Sequence, residues 1–167
     1  MSEHGPGLSH PPYVAGLILA GRRVVVVGGG RVTARRLPTL LDAGAAVTVV
    51  APALDARIAE RVAAGEVAWL ERGYESGDLA GAWYAMAATD RPAVNAAIAE
   101  EASLRQIFCV RADDAPLGTA WTPATGRWGE TTVAVLSNRD PRHSALTRDR
   151  LMGAMSQLEP EHRPDEG

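Results

Sequence analysis

The sequence has 167 residues, a formal net charge of -3 at pH 7, and 17 basic residues that are all arginine. The absence of lysine excludes Schiff-base and pyridoxal chemistry and a lysine-bearing phosphate loop. Its one cysteine excludes an internal disulfide, and with one histidine outside the terminal segments, His143, it does not supply a typical zinc site. The acidic balance and the short apolar runs indicate no nucleic-acid surface and no membrane span, so we expect a cytoplasmic protein.

Strand and helix patterns alternate along the first two thirds of the chain. Apolar and β-branched runs predict strands at Arg23–Val27, Ala46–Ala51, Val67–Glu71, Trp83–Ala88 and Ile107–Val110. Helical spacing of apolar residues predicts helices at Arg31–Ala43, Leu54–Ala64 and Pro92–Leu104, with one further turn of helix at Ser76–Ala80. The alternation predicts a Rossmann-like α/β fold, in which a parallel sheet carries helices on both faces. Pro38 is expected to kink the first helix or remove one of its backbone bonds.

The pattern changes in the last third of the chain. Two strands, Thr119–Trp121 and Thr131–Leu136, are predicted on either side of the loop Thr125–Gly129, and a helix is predicted at Ser144–Met155. We therefore predict four regions: a disordered arm (1–12), a Rossmann-like domain (13–115), a small strand-strand-helix segment (116–156) and a disordered tail (157–167).

A glycine-rich loop, Gly28-Gly29-Gly30, joins the first strand to the first helix. Gly28 permits the tight turn, Gly30 permits close approach of a pyrophosphate, and the helix start offers free N–H groups and a positive dipole end. The third position of the fingerprint, usually Gly or Ala, is Thr33. A plain strand-to-helix turn is the alternative, but three successive glycines cost folding entropy, which favours a dinucleotide site.

The acid that binds a ribose in such folds is absent from the end of the second strand, where the sequence is Val50-Ala51-Pro52-Ala53. A ribose contact must therefore come from the backbone or from Asp55. Arg57 is nearby and is also explained as a solvent-facing helix charge. The pattern leaves the choice between NAD and NADP open.

Two adjacent acids, Asp113 and Asp114, follow the fifth strand. This edge of a parallel sheet is where ligands bind, and mutual repulsion of neighbouring carboxylates raises a pKa toward that of a general base. The equally weighted alternative is an Asp that caps a turn. Asp90 is predicted to cap the helix that starts near Pro92, and Thr89 beside it is a candidate to face the cofactor.

Arginines are frequent near the end of the sequence, and their guanidinium groups suit carboxylate-bearing ligands. The candidates are Arg111, Arg127, Arg139 and Arg142, each of which is also explained as a solvated surface charge. Ser137 precedes a polar turn that is a candidate anion site. Cys109 is predicted to be an inert thiol in a buried strand.

Together these residues resemble the precorrin-2 dehydrogenase module of siroheme synthase, a family found alone or fused to a uroporphyrinogen-III methyltransferase. The resemblance covers about Tyr13 to Leu151. It rests on Val25–Val32 with Arg35-Arg36, Gly44–Pro52, Ala87–Asp90 with Val94-Asn95, Ile107–Cys109, Asp113, Pro123, and Val133–Val135 with Ser137.

The resemblance implies NAD-dependent oxidation of precorrin-2 to sirohydrochlorin in siroheme or cobalamin biosynthesis, and some members also insert ferrous iron. It implies that Asp113 is the catalytic residue, with Asp114 as our second choice. Cofactor contacts are expected from the glycine loop and its neighbours: Gly28, Gly29, Gly30, Arg31, Val32, Pro52, Ala53 and Thr89. Substrate contacts are expected from Arg111, Arg139 and Ser137, and no metal-ligand set is predicted.

The family is dimeric, so the resemblance implies a homodimer formed through residues 116–156, with residues 13–115 binding NAD. Family members continue into a helical domain, whereas this sequence ends at Gly167. Two expectations follow: an open tetrapyrrole site, or one completed by another domain or partner. The other functional hypotheses are an NAD-binding module without turnover, such as half of a fused synthase, and an NADP-dependent reductase of another small molecule.

Overall fold

The protein is described by a computed structural model that covers residues 12–137 and 140–157. These residues divide into two compact units, one that ends at Trp121 and one that begins at Thr122. Most of the predicted arm (1–12) and tail (157–167) lies outside the described residues. In the part of the chain that is described, each helix is too short or too polar to cross a membrane.

The first unit is built on a five-stranded parallel sheet. Its strands are β1 (Arg23–Val27), β2 (Ala46–Val50), β3 (Ala68–Leu70), β4 (Tyr84–Ala87) and β5 (Phe108–Arg111). Their spatial order is β3-β2-β1-β4-β5, so the connections leave β1 in opposite directions across the sheet. The carboxyl ends of β1 and β4 therefore form a topological switch point, where sheets of this kind bind ligands.

Three helices cover the two faces of this sheet: α1 (Arg31–Asp42), α2 (Ala56–Ala63) and α3 (Pro92–Leu104). Because side chains alternate along a strand, Val24 and Val26 of β1 pack with α1 and α2 on one face. Val25 and Val27 pack with α3 on the other face. The prediction of a parallel sheet with helices on both faces is confirmed.

One local prediction in this unit needs correction. The predicted helical turn at Ser76–Ala80 is a turn without helix, because Gly77 has φ +104, which a right-handed helix does not allow. Helix α1 continues through Pro38, as its predicted bounds required. The proline still removes one backbone donor, the one that would reach the carbonyl of Ala34.

The second unit contains an antiparallel pair, β6 (Ala124–Trp128) and β7 (Thr131–Val135), followed by α4 (Pro141–Met155).

The predicted strand at Thr119–Trp121, at the end of the first unit, is wrong. The amides of Thr119 and Ala120 both donate to the carbonyl of Cys109, at 2.9 and 3.0 Å, which fastens this segment to β5. A short 3-10 helix, Ala115–Leu117, precedes it.

Candidate active site

The carboxyl ends of the central strands open into a cleft of about 740 Å³ at the switch point. Loops after β1, β2, β3 and β4 form its walls. All eight residues that the sequence analysis assigned to the cofactor line this cleft: Gly28, Gly29, Gly30, Arg31, Val32, Pro52, Ala53 and Thr89. The structure thus brings together one complete set of the predicted residues.

The three glycines of the loop differ in the space that surrounds them. Gly28 has φ +113, and a Cβ there would lie 2.3 Å from the carbonyl oxygen of Ala88. At Gly29 a Cβ would lie 2.1 Å from the carbonyl oxygen of Ala53. At Gly30 a Cβ would meet no heavy atom of the described residues within 4 Å. The first two glycines are therefore required by the fold, whereas Gly30 borders space that a ligand can use.

Thr33 takes the position where the dinucleotide fingerprint usually has Gly or Ala. Its side chain is fully buried, and its hydroxyl donates a 2.6 Å hydrogen bond to the carbonyl oxygen of Gly28. The hydroxyl therefore ties the first turn of α1 to the glycine loop, which explains how the packing accepts a larger residue here.

The start of α1 provides an anion site. Its N-cap residue is Gly30, no described side chain caps the helix, and its first turn contains no acid. The first amides of a helix lack intrahelical acceptors, and the helix dipole adds positive potential there. These amides, with Arg31 in the same cleft wall, fit the pyrophosphate of a dinucleotide.

Asp55 is the acid nearest to the end of β2 in the cleft lining. Its backbone amide donates to the carbonyl of Gly29 at 2.7 Å, and its carboxylate caps α2 by accepting from the amide of Arg57 at 3.1 Å. The Arg57 guanidinium adds two side-chain bonds of 3.0 Å. These hydrogen bonds from Arg57 lower the pKa of Asp55 to about 2.

Thr89 is positioned by Asn95, a fully buried residue of α3. The Asn95 side chain accepts from the hydroxyl and amide of Thr89, at 2.7 and 3.1 Å, and donates to its carbonyl at 3.0 Å. The prediction that Asp90 caps α3 is wrong. Because Pro92 occupies the first helical position, the N-cap residue is Arg91, whose amide is bound by the Thr89 hydroxyl.

Asp113 lies just beyond the carboxyl end of β5 and pairs with Arg111 through bonds of 3.1 and 2.7 Å. These hydrogen bonds lower its pKa to about 2, with a smaller contribution from Asn95. The expectation that a neighbouring acid raises this pKa is therefore wrong for Asp113. Arg111 is itself buried, and neither residue belongs to the lining of the cleft.

Ser137 belongs to the second unit. Its hydroxyl lies 2.6 Å from that of Ser144, and its amide donates to the Ser144 hydroxyl at 3.0 Å. Asp140 caps α4 by accepting from the amides of Arg142 and His143. Its carboxylate therefore already occupies the place at this helix start where an anion would bind. Arg139 lies outside the described residues.

The thiol of Cys109 is buried in β5, and burial raises its pKa to about 11. A thiol with this pKa is protonated at neutral pH and is a poor nucleophile. The predicted burial of Cys109 is confirmed, and its raised pKa supports the prediction that the thiol is inert.

Comparison with known proteins identifies the family to which this chain belongs. A family model described as putative NAD(P)-binding matches residues 16–124. The precorrin-2 dehydrogenase of Bacillus subtilis (strain 168) is 37% identical over 128 residues, which are 75% of this chain and 78% of that protein. The chain belongs to the precorrin-2 dehydrogenase family. The solved structure of SirC, a precorrin-2 dehydrogenase, has a TM-score of 0.70 and 31% identity and covers 90% of this chain and 72% of its own.

Longer relatives of this family also match. Siroheme synthase 3 of Aeromonas hydrophila subsp. hydrophila is 37% identical over 140 residues, which are 83% of this chain and 30% of that protein. Siroheme synthase of Azotobacter vinelandii is 40% identical over 134 residues, 80% of this chain and 29% of its own length. The chain thus spans about 30% of the length of these synthases.

In this member of the precorrin-2 dehydrogenase family, Gly73 and Tyr74 form one further wall of the cleft after β3, which was not predicted from the sequence. The Tyr74 hydroxyl donates to Glu101 of α3, which also accepts from the amide of Gly77 at 2.9 Å and from Arg105 at 2.7 Å. Burial, and then the bond to Glu101, raises the pKa of Tyr74. The signal was available, because a loop that follows a parallel strand starts at the ligand edge.

Proposed function

We propose that this chain oxidises precorrin-2 to sirohydrochlorin with NAD⁺. One observation carries the proposal: a member of the precorrin-2 dehydrogenase family has an uncapped helix start and an unobstructed Gly30 in a cleft at its switch point. In this oxidation the substrate loses two hydrogens, one as a hydride and one as a proton. NAD⁺, when bound, supplies the hydride acceptor.

The residues that hold the dinucleotide are those of the cleft. The amides after Gly30, with Arg31, bind the pyrophosphate, since both place positive charge at one point of the wall. Pro52 and Ala53, which follow β2, contribute backbone contacts. Thr89, fixed by Asn95, lies on the β4 side of the cleft.

Asp113 is the proposed proton acceptor. It follows β5, at the same edge of the sheet as the cleft, and its depressed pKa keeps it ionised at neutral pH. The ion pair with Arg111 also weakens it as a base. In our proposal an acidic side chain of the tetrapyrrole draws Arg111 away, which restores the basicity of Asp113 when the substrate is present.

The remaining parts of the proposal concern substrate and partners. Arg111 of the first unit is proposed to contact the tetrapyrrole. Ser137 and Arg139, which the sequence of the second unit supplies, are retained as separate candidate substrate contacts. Residues 116–156 are proposed to form a homodimer, and a methyltransferase is proposed as a partner or fused domain, since the matching synthases are much longer. A cytoplasmic location is part of the same proposal.

A second function is favoured by the same ion pair. Arg111 satisfies both carboxylate oxygens of Asp113, so a chain in which this pair never opens binds the dinucleotide without oxidising the substrate. Such a chain is a nucleotide-binding module.

The test is an absorbance assay for sirohydrochlorin formed from precorrin-2 and NAD⁺ by the full chain. We expect product from the wild type and a loss of about 10²-fold or more in kcat for Asp113→Asn, the usual range for removal of a general base. Asp114→Asn is the matched control and should keep most of the activity. NAD⁺ binding without any product would support the second function, and normal turnover by Asp113→Asn would remove the role of Asp113.

A further inference from the structure

Asp55 lies in the cleft wall that follows β2 and forms an ion pair with Arg57. Arg57 binds both of its carboxylate oxygens at 3.0 Å, and Arg31 lines the same cleft. Asp55 is largely covered, with 19% of its side chain exposed, whereas 59% of the Arg57 side chain is exposed. One acid therefore neutralises an arginine that is otherwise free to reach into solvent.

The position of Asp55 relates the Asp55–Arg57 ion pair to the part of the cleft where a dinucleotide places its adenosine ribose. In doubly wound sheets the segment after the second strand contacts the adenosine ribose, where an acid accepts from the 2′-hydroxyl and an arginine accommodates a 2′-phosphate. The usual acid at the end of β2 is missing here, but the amide of Asp55 is bonded to Gly29. This bond holds Asp55 against the glycine loop and in the lining of the cleft.

We propose that Asp55 determines the choice of dinucleotide, favouring NAD over NADP by repelling a 2′-phosphate and by occupying Arg57. Without the acid, the Arg57 guanidinium would be free to pair with a 2′-phosphate next to the cleft that Arg31 lines. This inference rests on the proposed function only in that the cleft takes a dinucleotide, and it does not depend on oxidation of precorrin-2.

The test measures the dissociation constants of NAD⁺ and NADP⁺ by titration calorimetry on the full chain. Asp55→Asn is a suitable variant because Asn caps a helix as well as Asp does, so α2 keeps its start. We expect the wild type to prefer NAD⁺ and the variant to gain about tenfold in relative affinity for NADP⁺, which is the usual value of one hydrogen bond to a charged group. The double variant Asp55→Asn, Arg57→Ala should lose most of this gain.

The matched control is Glu66→Gln. Glu66 pairs with Arg61 at 2.7 Å just after α2, and neither residue lines the cleft. The change therefore removes an acid from a similar ion pair and should leave the preference unchanged.

Two results would overturn the inference: a wild type that binds NAD⁺ and NADP⁺ equally, or an Asp55→Asn variant whose preference equals that of the wild type. A chain that binds neither dinucleotide would overturn this inference and the proposed function together. If the preference and its change are seen but no sirohydrochlorin forms, the inference holds and only the proposed oxidation fails.

Discussion

Arg111 and Asp113 form a bidentate ion pair at the carboxyl end of β5, with Nε–Oδ1 at 3.1 Å and Nη2–Oδ2 at 2.7 Å. The arginine side chain is 7% exposed and the aspartate side chain 25%. A pair this well covered is screened less than one at the surface. It therefore affects the stability of the fold as well as the chemistry of the proposed base.

The first prediction concerns stability against pH. The pKa of Asp113 is lowered from 3.8 to about 2, so its ionised form stabilises the folded chain. This contribution is complete above about pH 5 and is lost as the pH falls toward 2, with a loss of about 1 kcal/mol between pH 6 and pH 3. Urea unfolding at several pH values measures it. In Arg111→Gln this part of the pH dependence should disappear, and an unchanged profile in that variant would contradict the assignment.

The second prediction separates the glycines of the loop. Gly28→Ala places a Cβ against the Ala88 carbonyl at a positive φ, so we expect a loss of more than about 2 kcal/mol in the free energy of unfolding. Gly30→Ala has open space and φ -91, so its stability should stay close to that of the wild type.

The effect of Gly30→Ala should appear in ligand binding instead. A methyl group there stands in the space next to the first amides of α1, and we expect NAD⁺ to bind about tenfold more weakly, the cost of one hydrogen bond to a charged group. Calorimetry measures the affinity. Gly153→Ala in α4, which also has open space, is the control and should bind NAD⁺ normally. Wild-type affinity in Gly30→Ala would show that the dinucleotide does not approach this amide.

The third prediction tests the bond between Thr33 and Gly28. Thr33→Val keeps the shape of the side chain but removes the donor to a buried carbonyl, so we expect a loss of about 1–2 kcal/mol in the free energy of unfolding. Thr39→Val, at an exposed position of the same helix, should change stability by no more than about 0.5 kcal/mol. Equal effects of the two changes in chemical denaturation would rule out a special role for the Thr33 hydroxyl.

The fourth prediction concerns Glu101, which holds the loop after β3. Glu101→Ala leaves the Tyr74 hydroxyl and the Gly77 amide without their acceptor, and we expect it to cost about 2–3 kcal/mol. Glu101→Gln keeps one acceptor oxygen and should cost less. Glu100→Ala, on the exposed side of α3, is the control. If Glu101→Ala unfolds at the same denaturant concentration as Glu100→Ala, this residue does not hold the loop.

Local sequence determined the first half of the candidate site. The valines of β1, the three glycines and the start of α1 are neighbours in the chain, and their strand, loop and helix patterns are all visible within this one segment. Steric limits on φ and the periodicity of buried side chains act over this short range, so the strand, the loop and the helix were all predictable.

Only the tertiary structure decided how other residues are used. Thr119 was predicted in a strand because its own segment is apolar, but its amide and hydroxyl bind Cys109, ten residues earlier. The hydroxyl of Tyr74, which lines the cleft, is held by Glu101, 27 residues later in the chain. No periodicity within either segment reports these partners.

The pKa of Asp113 is a further property that the tertiary structure decided and the sequence pattern did not. The sequence determined that two acids follow β5 at the ligand edge, and from this it was natural to expect repulsion between them. The fold instead turns Arg111 toward Asp113, so attraction decides the pKa. The physical reason is that backbone sterics and hydrophobic periodicity act between near neighbours in the chain, whereas ion pairs and buried hydrogen bonds depend on which side chains the completed fold brings within about 3 Å.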